Sequence, residues 1–106
     1  MALAKDTFHR QLQTKQEDAA ILDQQLGRLE DDIRKLKIEF DIYFNGALKR
    51  PPLESKARLE ANLKRLADDR NLTYAQRYQL NAVVSRFNSY RELWRRLLKK
   101  RGEEAA

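Results

Sequence analysis

The side chains able to do chemistry are few and scattered. His9 is the only histidine and there is no cysteine, so disulfides, thiolate nucleophiles and a tetrahedral zinc site are all excluded. Ser55, Ser85 and Ser89 have no histidine nearby in sequence to act as a base. The acidic clusters Glu30-Asp31-Asp32 and Asp68-Asp69 lack the alternating spacing of a calcium loop. Gly27, Gly46 and Gly102 stand alone, so no glycine-rich phosphate loop is present. The expectation is a protein without catalytic residues, cofactor, metal or small-molecule substrate.

Binding chemistry is better represented. At about 100° per residue, a helix carrying Leu80, Val83, Phe87, Tyr90 and Trp94 on its inner side sets Arg77, Asn81, Asn88, Arg91, Arg95 and Lys99 in a stripe about a quarter turn away. Tyr74, Tyr78, Ser85, Ser89 and Arg96 lie further round. Arg and Asn at helical spacing, flanked by Tyr, suit phosphates and unpaired bases. Arg86 joins this set from the same helix, and Lys49 and Arg50, with Lys56 and Arg58, extend it from a preceding turn.

The charge distribution agrees. The 106 residues carry +6, but residues 1–32 hold 4 Lys/Arg against 7 Asp/Glu (−3) and residues 33–101 hold 18 against 7 (+11). A basic segment of this size favours an anionic polymer, RNA ahead of DNA. An acidic protein partner is the alternative, with the chain acting as an adaptor.

The elements that must hold these side chains are helices. Charged residues make up 36% of the chain against three Gly and two Pro, a composition of long helices. Phe8, Leu12, Ala19, Leu22, Leu26, Leu29, Ile33, Leu36, Phe40, Tyr43 and Ala47, with Lys15 filling one gap, alternate spacings of three and four. That is the repeat of about 3.5 residues found in coiled coils. A rod this long cannot bury its stripe against a short hairpin, so a homodimer through Phe8, Leu12, Leu22, Leu26, Leu29 and Ile33 is expected. Acids at the flanking positions (Asp18, Asp23, Glu30, Asp32, Glu39) favour an antiparallel pairing or cover by a basic helix.

Asn45-Gly46 and Lys49-Arg50-Pro51-Pro52 end this helix, with Pro52 placed to open the next. A second helix is expected from Leu53 to Asp69 with Ala57, Leu59, Leu63 and Leu66 inside. Thr73 and Gln76 form a capping box for a third, which carries Leu97 as its last inner residue and ends at Gly102. The whole reads as all-α, a long coiled-coil helix followed by a two-helix antiparallel hairpin packed on its C-terminal part. The organisation is an acidic arm over 1–32, a basic hairpin domain over 33–101 and a disordered acidic tail over 102–106. No apolar run reaches membrane-spanning length and Met1–Arg10 lacks the apolar core of a signal peptide, which predicts a cytoplasmic protein with no membrane role.

Two segments, Leu36–Leu53 (LKIEFDIYFNGALKRPPL) and Tyr78–Trp94 (YQLNAVVSRFNSYRELW), resemble an uncharacterised bacterial domain found at the C-terminal end of myxobacterial and related proteins. Its pattern runs Tyr-Phe-x-Gly, Arg-Pro-Pro-Leu, then Arg-Phe-Asn-Ser/Thr-Tyr-x-x-x-Trp. Tyr43, Phe44, Gly46, Arg50, Pro51, Pro52, Leu53, Arg86, Phe87, Asn88, Tyr90 and Trp94 match it. The resemblance covers residues 33–98; it implies the hairpin fold and no enzyme activity, and it supplies no ligand.

Overall fold

The computed structural model describes the backbone of residues 2–105 and the side chains of residue 10 and residues 13–102. The described residues form three helices, α1 (Ala2–Phe44), α2 (Leu53–Ala67) and α3 (Tyr74–Ala105), and no strand. The long first helix packs against both others, and they pack on each other.

α1 persists for 43 residues because nothing in it breaks a helix. Gly27 sits mid-helix with open space where a side chain would project, so it costs about 1 kcal/mol of propensity without bending the rod. The end comes at Gly46, whose φ of +88° only glycine adopts without strain. There the Gly46 N–H donates to the Tyr43 carbonyl (3.0 Å) and the Ala47 N–H to the Ile42 carbonyl (3.1 Å), the paired bonds of a Schellman motif. Ala47, which continues the heptad pattern on paper, therefore lies outside the helix and is exposed.

Pro52 caps α2 rather than opening it, and the helix stops at Ala67. Leu59, Leu63 and Leu66 are buried, but Ala57 is exposed. Two residues before Leu59, it points about 160° away from the inner face. The capping box of α3 is present: the Gln76 N–H donates to Thr73 Oγ1 (3.1 Å) and the Thr73 N–H to Gln76 Oε1 (2.9 Å). α3 does not end at Gly102 but runs on to Ala105, so the expected disordered tail is helical through that residue. A lone glycine with no positive φ is tolerated in a helix, and the side chains of 103–106 are not described.

One core joins all three helices: Leu22, Leu26, Leu29, Ile33, Leu36 and Phe40 from α1, the three leucines of α2, and Leu80, Val83, Phe87 and Trp94 from α3. Tyr90 is half-buried against it and Leu97 is also half-buried. This corrects the expected seam. Leu22, Leu26, Leu29 and Ile33 are 6, 0, 4 and 2% exposed within the single chain, because α3 is long enough to cover them. They are spent on the fold and present no surface to a second copy. The core also crosses the 32/33 charge boundary without a break, so acidic arm and basic domain are not separate packing units. Phe8 and Leu12 lie outside the described side chains, and Lys15 is exposed.

α3 runs in the same direction as α1. Gln76 Nε2 donates to the Ala19 carbonyl (3.0 Å) and to Asp23 Oδ1 (2.8 Å), Phe40 stacks on Trp94, and Arg101 donates to the Tyr43 carbonyl (3.0 Å). The bundle therefore begins at Ala19, and α1 projects beyond it by 17 residues or about 26 Å. This overhang makes the molecule long and thin, 76 × 21 × 15 Å. No helix among the described residues is long and apolar enough to cross a membrane.

Candidate nucleic-acid interface

Burying α3 along one side fixes where its other side chains go. All ten of the basic and amide residues singled out in the sequence are exposed, but the fold divides them into groups. Asn81, Asn88 and Arg96 line a shallow trough on the outer face of α3, together with Ser85, Ser89 and Glu92. Asn88 and Arg91 also line a second groove, of about 300 Å³, between α3 and α2. Its floor is Leu63, Ala67, Val84 and Phe87, and Lys64 and Glu60 form the α2 rim. Arg91 lies over the Phe87 ring, 5.9 Å from its centroid. Asn88 thus joins the two surfaces.

The others are placed differently. Arg77 is spent on structure: its guanidinium donates to the Ala67 carbonyl (3.4 Å) and the Asp69 carbonyl (3.0 Å), satisfying acceptors left open at the end of α2. Arg95 forms a two-pronged bond to Glu92 (Nε to Oε2 3.1 Å, Nη2 to Oε1 2.7 Å), and Arg96 approaches the same carboxylate at 4.0 Å. The Arg95 hydrogen bond holds the Glu92 carboxyl below the usual carboxylate range. Arg86 projects about 140° round the helix from Arg91 and belongs to another flank. Lys49 and Arg50 sit in the turn after α1, at the end of the bundle where α3 carries Lys99. Among the described residues, no carboxylate lies within 4.0 Å of Lys49, Arg50, Lys64, Arg86 or Arg91.

Lys64 was not legible from the α3 pattern. The signal for it is its place one turn beyond Glu60, on the flank of α2 that turns toward α3. Arg101 likewise emerges only from the fold, stacked 4.7 Å over the Tyr43 ring.

The charge asymmetry becomes spatial once the helices are assembled. Residues 45–102, the α2–α3 side, hold 15 Lys/Arg against 5 Asp/Glu, a net +10, whereas α1 holds 7 against 9, a net −2. From Arg70 to Arg91 there is no acid at all. No group of three metal-ligating side chains occurs among the described residues. No family profile matches the chain, and neither curated proteins nor solved structures provide a match.

Proposed function

We propose that the protein binds RNA, without catalysis, through the α2–α3 side of its bundle. The observation that carries this is the separation of charge across the fold, +10 on one side against −2 on α1. On that side, Lys64 and Arg91 flank an apolar-floored groove and have no acid partner among the described residues. In this reading α2 and α3 form an antiparallel basic hairpin. Its action in the cytoplasm and its likeness to the bacterial domain named above belong to the same proposal.

Bound phosphates release counterions, so affinity must fall with salt. Fluorescence anisotropy with a labelled RNA strand is expected to give a log–log salt slope of about −3 to −4, the value for roughly five phosphates on a single strand. A DNA of the same sequence is expected to bind more weakly. Absence of binding below about 10 µM at 50 mM salt would reject the proposal.

The overhang of α1 favours a second, compatible role in self-association. Ahead of Ala19 there is room for two heptads of coiled coil, too short for a tight dimer. Sedimentation is expected to show a weak monomer–dimer equilibrium; a sedimentation coefficient constant from about 10 µM to 1 mM ends this reading.

A further inference from the structure

We infer that the outer face of α3 is a stacking platform for an unpaired RNA strand, with Tyr74 and Tyr78 taking bases and Asn81, Ser85 and Asn88 meeting their edges. The inference rests on the nucleic-acid reading and narrows it to one geometry. Tyr74 is 93% exposed and Tyr78 77% exposed, one helical turn apart on the same face. Every other aromatic ring with a described side chain is buried or half-buried: Phe40, Phe87 and Trp94 in the core, Phe44 and Tyr90 against it, and Tyr43 between the Phe44 ring and the Arg101 guanidinium. These two rings are therefore not overflow from the core, and neither makes a hydrogen bond or ring contact among the described residues.

Beyond the two tyrosines, toward the C-terminal end of α3, the same face is polar and uncharged as far as Ser89. Asn81 and Asn88 make no side-chain hydrogen bond within the described residues, which leaves their amides for a ligand. Ser85 and Ser89 are small enough to let a strand approach the helix, and they form the floor of the trough. The 22 residues from Arg70 to Arg91 contain four arginines and no acid, and the one carboxylate that lines the trough, Glu92, is paired with Arg95 and Arg96. A side-chain ring can meet a base face only where that base is not already stacked and paired, which selects a single strand over a duplex. From Tyr74 to Asn88 the face extends about 21 Å, enough for roughly six nucleotides at a stacked spacing of ~3.4 Å.

The test uses the full chain and anisotropy against a labelled 12-nucleotide single-stranded RNA and the same sequence as a duplex. The single strand is expected to bind at least about fivefold more tightly, the effect of one stacked base. Y74A/Y78A should weaken single-strand binding by roughly 5- to 150-fold per ring while leaving the duplex affinity unchanged. Y74F/Y78F, which keeps the ring, should stay within about twofold of the parent. Both residues are exposed, so the melting temperature serves as the check that the fold is intact. If Y74A/Y78A binds the single strand as well as the parent does, or if strand and duplex weaken equally, the platform is wrong. In either case a surviving salt-dependent affinity leaves the broader RNA reading standing. Absence of binding to any RNA removes both.

Discussion

Replacing Trp94 with alanine should cost about 3–5 kcal/mol and bring the fold to the edge of collapse. The indole is 2% exposed and holds both long helices at once. Phe40 of α1 stacks on it at a centroid distance of 4.1 Å and 15°, Tyr90 stacks at 5.7 Å, and Phe87 meets it edge-on at 6.2 Å. Alanine deletes the hydrophobic transfer energy, leaves a cavity between helices and removes aromatic contacts that contribute about 0.5–1.5 kcal/mol each. A domain of this size is stable by only about 5–15 kcal/mol, and one core offers little reserve. Thermal melts by circular dichroism should show the midpoint falling by roughly 15 °C or more, with W94F intermediate. A midpoint within about two degrees of the parent would mean that the ring cluster does not hold α3 on α1.

The second large effect is on binding. Lys64→Glu with Arg91→Glu reverses both rims of the α2–α3 groove, and both side chains are exposed, so the bundle should survive. RNA affinity is expected to fall on the order of 30- to 100-fold at low salt, and the log–log salt slope to flatten by about 1.4, two phosphate contacts on a single strand. The control is Arg28→Glu with Lys35→Glu. It makes the same change in net charge at exposed positions of α1, along the grooves on the opposite side of α2. If the two double variants weaken binding equally, the interaction responds to total charge and the groove is not the site.

Much of the architecture is legible in side-chain spacing, because burial of an apolar stripe is a local property of a helix. Leu22 to Phe40 are core, Gly46 stops α1 and the Thr73–Gln76 box starts α3. Spacing says that a stripe must be covered but not by what. The sequence invites a second copy over Leu22–Ile33, yet the chain already contains the complement: Leu80 to Trp94 form a stripe that itself needs cover. Matching the two unsatisfied stripes in length accounts for three helices packed within one chain. Gly102 and Ala57 misled for a different reason. A glycine ends a helix only where a positive φ is needed, and an alanine is small enough to sit on either face.

The binding surface is less legible, because a side chain's availability depends on neighbours distant in sequence. Arg77 and Arg91 fall within about 40° of each other on a helical projection, but the end of α2 lies beside one and an open groove beside the other. Arg95 and Arg96 carry their own neutralising partner in Glu92, three and four residues back, which a charge count could have flagged.

Gln76 has a consequence for how the helices align. The apolar stripes on α1 and α3 both repeat every three or four residues, so sliding one helix by a heptad, about 10 Å, would still put apolar groups on apolar groups, although it would part the Phe40 and Trp94 rings. The Gln76 carboxamide meets the Ala19 carbonyl and the Asp23 carboxylate in one alignment only, and a slip would strand it unsatisfied in the interior. A single buried amide thus works as a register pin at one end of the helix pair, as the Phe40–Trp94 stack does at the other.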